Sequence, residues 1–376
     1  MFSALSLFSG AGGMDLGIRQ AGFEIRACIE IDPHCCQTLQ SAIEREHLKT
    51  VLLKQDIKQI EPDQLMRDLD LETGELDLLF GGSPCQSFSQ AGNRASLNDE
   101  RGLLIFEFIR FARVFQPKVI VIEQVKGFLK SPDLSGTIGG VCQAVTSQFR
   151  ELGYQLNLQI INAADYGVAQ VRERIFIVAT AIEKPFYFPA PTHGIPEHQL
   201  SLFPLQPYIT VGQALTGLGN PAKNKDLPPE DSHIDITPAG DRKRIHGVSE
   251  GSFLAKELHL PESQRCQLTK KDTTKFRRLS FAKPSLTLRC GEIFFHPVED
   301  RYLTPREYMR IHGYPDHYFL KGPIRGRSGR VRNLDQHRQV ANSVPPPVAY
   351  AIAKEVAKFL TPAPTIKAYL KPELIY

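Results

Sequence analysis

A doubly wound α/β fold with a mostly parallel sheet is what this sequence predicts, and three observations predict it. Short apolar runs alternate with longer stretches of helical spacing through the first half of the chain. Glycine or an acidic residue stands one or two positions after several of those runs, as at Gly10, Glu30, Asp56, Gly81 and Glu123. The 376 residues are 42% hydrophobic and 23% charged, enough to bury a full core and too apolar for a disordered chain.

The runs at 4–8, 24–29, 51–54, 76–80, 118–122, 155–161 and 175–180 are read as strands. Between them, 14–21, 33–46, 103–115 and 141–152 carry helical spacing. Pro185, Pro189, Pro191, Gly194, Pro196, Pro204 and Pro207 then break any regular pattern, which marks a linker. An amphipathic helix over 344–360, with Val348, Ile352, Val356 and Phe359 on one face, is expected to return to the first unit. That gives a discontinuous domain of residues 1–195 plus 335–376 and a second, smaller one of 196–334.

Charge separates the same segments. Net charge is −5 over 1–195, +7 over 196–334 and +2 over 335–376. A basic second unit faces a polyanion. Its cations include Arg242-Lys243-Arg244, Lys270-Lys271, Arg277-Arg278 and the run Lys321, Arg325, Arg327, Arg330, Arg332. No window approaches the ~18 apolar residues of a membrane helix, and the chain begins directly on a strand without a basic leader. A soluble cytoplasmic protein is expected. The seven cysteines are scattered without a Cys-x-x-Cys pair, so neither a disulfide framework nor a metal site is expected.

Three strand ends suit a ligand carrying adenosine. Phe8-Ser9-Gly10-Ala11-Gly12-Gly13 is a turn that lets the backbone approach a ligand, but Asp15 stands where a dinucleotide fingerprint needs its last glycine. Glu30 is placed to accept from ribose hydroxyls, and Asp56 to meet a polar ring edge. After the fourth strand, Gly81-Gly82-Ser83-Pro84-Cys85-Gln86-Ser87 sets a cysteine in a polar loop at the ligand edge, where a thiolate nucleophile can form. Glu123 ends the neighbouring strand and is either a buried anchor or a tuned acid. Arg172 and Arg174 share one strand face. A thiol, a carboxylic acid and fixed guanidinium groups suit attack on an electron-poor heterocycle and stabilisation of the charge that develops.

These blocks, in this order, resemble the DNA (cytosine-5) methyltransferases that use S-adenosylmethionine. Phe8–Gly13 resembles their cofactor turn and Pro84-Cys85-Gln86 their nucleophile motif. Asp99-x-Arg101-Gly102 resembles the segment closing the catalytic loop, Gln170-x-Arg172-x-Arg174 the arginine block, residues 303–316 the block after the recognition region, and 339–344 the last cofactor block. The resemblance implies catalytic roles for Cys85, Glu123, Arg172 and Arg174. It implies cofactor contacts at Phe8, Gly10, Gly12, Gly13, Glu30, Ile31, Asp56, Ile57, Pro84, Leu104, Asn342 and Ser343. DNA contacts are expected at Gln86, Ser87, Thr287, Arg289, Arg325, Arg327, Arg330 and Arg332.

The implied substrate is a cytosine flipped out of double-stranded DNA, with loop 81–101 as a lid. The implied setting is a monomeric modification enzyme paired with a restriction endonuclease. Two positions depart from the family pattern: Gln124 stands where members usually carry asparagine, and Ala341 where they usually carry glycine. Three alternatives compete: a transfer-RNA cytosine-5 methyltransferase on the same motifs, a nicotinamide oxidoreductase, and a catalytically silent DNA-binding protein. The long basic segment favours DNA over transfer RNA, Asp15 disfavours the oxidoreductase, and Cys85 with Glu123 disfavours the silent form.

Overall fold

The computed structural model describes residues 1–84, 103–133, 135–195, 204–223, 229–265, 276–324 and 333–362. Cys85, Gln86, Ser87, the 99–102 block and Arg325, Arg327, Arg330 and Arg332 lie outside them.

Seven strands form one sheet: β1 (Phe2–Leu7), β2 (Phe23–Glu30), β3 (Val51–Lys54), β4 (Leu78–Gly82), β5 (Val119–Val125), β6 (Gln155–Asn162) and β7 (Glu173–Thr180). Their order is β3-β2-β1-β4-β5-β7-β6. All seven predicted runs are strands, but the sheet is not uniformly parallel: β7 pairs antiparallel with both β5 and β6. Helices α1 (Gly13–Gln20), α2 (Pro33–Arg45), α3 (Pro62–Asp68), α4 (Glu107–Phe115) and α5 (Gly140–Glu151) connect or cover the strands. Asp32 starts α2 by accepting from the N–H groups of His34 and Cys35, with Pro33 at the first helical position.

The period of two assigns side chains to faces. Leu79, Ile120, Ile122 and Ile177 enter one core with Phe108, Phe111, Phe115 and Phe149. Leu78, Phe80, Val121, Phe176 and Val178 enter a second core on the opposite face. Helix α10 (Pro346–Leu360) completes that second core through Val348, Ile352, Val356 and Phe359. It crosses α1 at Gly17, where a β-carbon would lie 2.4 Å from the Pro346 carbonyl oxygen. Phe186, in the proline-rich stretch, packs on Phe359 in the same core.

The later chain carries α6 (Val211–Leu215), α7 (Ala239–His246), α8 (Pro305–Ile311) and α9 (Gln336–Asn342). Here apolar side chains build a third core that includes Val211, Ile245, Leu288, Phe294, Phe295, Tyr308 and Val340. Ala11 of the first turn joins it, and the Tyr318 hydroxyl donates to the Ala11 carbonyl at 2.8 Å. Around it run internal ion pairs: Arg301 bridges Glu299 and Glu307, and Arg278 meets Asp300. The charges of Arg278 and Arg301 are thus neutralised within the fold. Among the described residues, no helix is long and apolar enough to cross a membrane.

Candidate active site

The strand order reverses between β1 and β4, so the crevice beyond their carboxyl ends is the ligand position in a sheet of this kind. The turn after β1 and the loop after β4 therefore start side by side. Gly81 is required where β4 leaves the sheet: φ is 154°, and a β-carbon there would lie 1.9 Å from the Leu7 carbonyl oxygen. Gly82 pairs with Glu123 of β5, and a β-carbon on it would meet Glu123 Oε2 at 2.9 Å. Glycine at 82 thus seats the carboxylate against the backbone three residues before Cys85.

Glu123 is buried, and its Oε1 lies 3.0 Å from Arg174 Nε. Burial pushes its carboxyl above the ordinary range, while Arg174 and then Arg172 pull the other way. This is a carboxyl group able to hold a proton with a cation fixed beside it. The next residue, Gln124, is fully buried and donates from Nε2 to the Ser83 carbonyl at 3.0 Å and the Ser83 hydroxyl at 2.5 Å. Its longer side chain ties β5 to the residue two before Cys85.

Arg172 also reaches across to the segment around Ser343. Its guanidinium donates to the carbonyls of Ala341 and Ser343 at 3.0 and 3.1 Å, so it braces the segment before β7 against residues 341–343. Its charge still lies close enough to pull on Glu123. Ala341 sits inside α9, a conformation that accepts a methyl group freely, and is buried in the third core.

Sequence reading missed one element of the brace, His312, although it stands inside the 303–316 block. His312 is fully buried, with Nε2 3.0 Å from the Ser343 carbonyl and Nδ1 2.9 Å from Gln170 Nε2. Because Ser343 offers an acceptor and Gln170 a donor, the ring is neutral with its proton on Nε2. Burial and the nearby Arg172 push its pKa well down, in agreement. Gln170 Oε1 accepts from the Leu288 N–H at 3.0 Å, and the Thr287 hydroxyl donates to the Val171 carbonyl at 2.9 Å. Residues 285–288 therefore lie along the arginine block. Cys290 then reaches the Asn342 side chain at 2.6 Å. Arg289 lies over the Phe294 ring, its Cζ 5.9 Å from the centroid.

At the other end of the crevice, Glu30 Oε2 accepts from the Gly10 N–H at 2.7 Å, and Oε1 from the N–H groups of Ile31 and Asp32 at 2.8 and 2.7 Å. Three amides hold the carboxylate in one orientation. Gly10 has φ 56° with no heavy atom within 4 Å of an added β-carbon, and Ile31 is 64% exposed beside it. Open space, an oriented carboxylate and an exposed apolar side chain fit a nucleoside: a sugar diol on Glu30 and a ring face on Ile31.

Phe8 holds φ 55° with its ring 5.9 Å from that of Phe108. Asp56 caps the short turn Ile57–Gln59 through Oδ1, which accepts from the Lys58 N–H at 3.0 Å. The Ile57 side chain is buried in the first core, so any ligand contact it makes is through its backbone. Leu104 packs at the edge of that core, and Pro84 is half-buried two residues after β4. Gly12 and Gly13 serve packing: added β-carbons would meet the Tyr318 hydroxyl at 2.6 Å and the Val344 carbonyl at 2.5 Å. The Ser343 hydroxyl donates to the Val340 carbonyl at 2.8 Å.

The family model for C-5 cytosine-specific DNA methylase matches residues 2–358. The chain belongs to that family. Among relatives of this methyltransferase, the Type II methyltransferase M.FnuDI of Fusobacterium nucleatum is 31% identical over 381 residues, covering 99% of each chain. M1.HphI of Haemophilus parahaemolyticus is 31% identical over 361 residues, covering 95% of this chain and 87% of the relative. M.AquIA of Picosynechococcus reaches 41% over 221 residues, 57% of this chain and 88% of the relative. In fold, the methyltransferase is similar to a prophage-encoded candidate DNA modification methyltransferase of E. coli, with a TM-score of 0.68 at 21% identity over 96% and 99% of the two chains. It is similar also to Spodoptera frugiperda DNMT2, with a TM-score of 0.58 at 18% identity over 95% and 100%.

Proposed function

We propose that this cytosine-5 DNA methyltransferase acts on a specific double-stranded sequence as the modification partner of a restriction endonuclease, with S-adenosylmethionine as methyl donor and Cys85 as nucleophile. The observation that carries the reading is the convergence at one switch point of two sites. One is the Glu30–Gly10 cradle, and the other is the Gly82, Glu123 and Arg174 corner. Relatives that cover nearly the whole chain are named Type II methyltransferases, which supports the pairing with an endonuclease. Residues 196–334 serve as the recognition part, and 1–195 with 335–376 as the catalytic part.

S-adenosylmethionine, when bound, supplies a methyl group on positively charged sulfur. Glu30, oriented by three backbone amides, takes the ribose hydroxyls, with Ile31 and Asp56 at the adenine. The target cytosine leaves the stack, because its ring faces are covered in a duplex. Cys85 thiolate adds to carbon 6, which makes carbon 5 a nucleophile. Glu123 holds a proton at ring nitrogen 3 to offset the charge that develops, and Arg174 holds Glu123 in place. Once carbon 5 carries the methyl group, with S-adenosylhomocysteine left as the second product, loss of the carbon 5 proton and expulsion of the thiolate would restore the ring and release Cys85.

The test is incubation with methyl-labelled S-adenosylmethionine and unmethylated genomic DNA or total RNA, followed by digestion to nucleosides, with Cys85→Ala in parallel. Label in 5-methylcytosine from DNA, absent with the variant, is the expected result. Label in RNA alone would overturn the substrate assignment. A duplex bearing 5-fluorocytosine tests the adduct separately: fluorine cannot leave as a cation, so a stable protein–DNA conjugate is expected with the wild-type enzyme and none with Cys85→Ala.

A further inference from the structure

Arg277 and Arg278 are adjacent and equivalent in the sequence, and the fold treats them in opposite ways. Arg278 is 5% exposed, and its guanidinium donates to the Ile245 carbonyl at 2.8 Å and to Asp300 at 2.5 Å. That charge belongs to the interior. Arg277 has its carbonyl held by the Phe295 N–H at 2.8 Å and its own N–H on Glu292 Oε1 at 3.3 Å. It pairs across an antiparallel bridge with Phe253, and its guanidinium lies over that ring, Cζ 5.0 Å from the centroid. Among the described residues the Arg277 guanidinium has no hydrogen bond or ion pair, and its Nε is buried without a partner. Arg289 adds a second positive charge close by, and burial pulls the Arg277 pKa down, with Glu292 opposing.

A half-buried guanidinium whose Nε has no partner, flanked by Glu292 as well as by Arg289, is an arrangement that leaves donors unused by the fold. It is a favourable one for a ligand rich in acceptors. The neighbourhood places that ligand. The same segment runs on to Thr287, bonded to the Val171 carbonyl, and to Cys290, bonded to Asn342. Arg277 therefore stands on the part of the recognition segment that abuts the catalytic blocks. Phosphate contacts are made well by any flexible cation, whereas a planar guanidinium resting over an aromatic ring presents its donors as a fork. Two coplanar donors match the paired acceptors, O6 and N7, on the major-groove edge of guanine.

We propose that Arg277 is a specificity-determining residue that reads one guanine of the target sequence, held in its reading plane by Phe253. The assignment rests on the reading that the enzyme methylates double-stranded DNA. The test uses the full-length enzyme on a plasmid library with a randomised segment, mapping 5-methylcytosine by conversion sequencing for wild type, Arg277→Ala and Arg277→Lys. Expected is a wild-type site with one position held to guanine that both variants relax, with discrimination there falling about ten- to a hundredfold.

Arg277→Lys keeps the charge without the planar fork, so it answers the question even if Arg277→Ala fails to fold. A uniform loss across all sites with the sequence preference intact makes Arg277 a phosphate contact and overturns the proposal. Unchanged preference and unchanged rate overturn it equally. Wild-type enzyme that leaves no 5-methylcytosine in DNA would overturn the underlying function as well.

Discussion

Arg174 Nε stands 3.0 Å from Glu123 Oε1 across the antiparallel β5–β7 pair, next to a glycine whose backbone admits nothing else beside the carboxylate. Burial raises the Glu123 carboxyl and the two arginines moderate the rise. The protonated form therefore persists to higher pH in the folded enzyme than in the unfolded chain. Two consequences follow, and each can be measured separately. Activity that needs this proton declines as pH rises through the folded-state pKa. Stability also declines there, because the folded state binds the proton that the unfolded chain has already lost. Glu123→Gln is expected to lower kcat by about 10²- to 10⁴-fold, to remove that limb from the pH–rate profile and to flatten the pH dependence of urea unfolding. An identical limb in Glu123→Gln would assign it to another group.

Gln124 is the position where the chain departs from its family's usual asparagine, and the structure gives the extra methylene a use. Its amide nitrogen reaches both the carbonyl and the hydroxyl of Ser83. Gln124→Asn draws that amide back from Ser83, two residues before Cys85, the proposed nucleophile. A misplacement of about 1 Å costs on the order of 100-fold in rate, so kcat is expected to fall by ten- to a hundredfold with KM for the cofactor unchanged. Single-turnover kinetics would show it, and a variant with wild-type kcat would reduce Gln124 to packing.

The neutral ring of His312 joins Gln170 to the Ser343 carbonyl, and Gln170 in turn holds the Leu288 N–H. His312→Ala leaves the buried Gln170 amide donor without its partner, at about 1–3 kcal/mol, while the Ser343 carbonyl keeps its bond from Arg172. His312→Gln can restore one of the two bonds. Urea denaturation is expected to order the proteins wild type, then Gln, then Ala. The same order in KM for DNA and for S-adenosylmethionine would mark the brace as a positioning device between the two sites. Equal stability of His312→Ala and wild type would refute the bonding scheme.

How much of this was legible in the sequence depends on the distance over which each feature is determined. The strands were legible because apolar runs such as 119–122 are local, and Glu123 was legible because it closes one. The reversed direction of β7 was not, since pairing partners are chosen by tertiary contacts and parallel and antiparallel runs read alike. Nor could Arg277 be told from Arg278, or the direction of Arg172 foreseen. Their partners, Asp300, Phe253, Ala341 and Ser343, lie 22 to 171 positions away in the chain. The motif implied a catalytic role for Arg172, and its hydrogen bonds to Ala341 and Ser343 run to the backbone at the end of α9.

Glu30 separates a cofactor contact from a backbone clasp. Its carboxylate accepts from Gly10, Ile31 and Asp32, so the same side chain shapes the first turn, starts the segment leading into α2 and offers its remaining lone pairs to the crevice. Glu30→Gln keeps the size but turns an NH2 group toward at least one of those amides, setting donor against donor. If Glu30 also takes the ribose, binding energy is lost equally from ground and transition states. Kd for S-adenosylhomocysteine, read by calorimetry, is then expected to rise about ten- to a hundredfold, with kcat at saturating cofactor nearly unchanged. A clasp alone predicts the reverse pattern: lower melting temperature, a displaced turn at Gly10 and a fall in kcat, with ribose-lacking fragments of the cofactor weakened as much as the whole. Measuring both the intact nucleoside and adenine alone decides between them, because only a ribose contact makes the variant indifferent to the missing sugar.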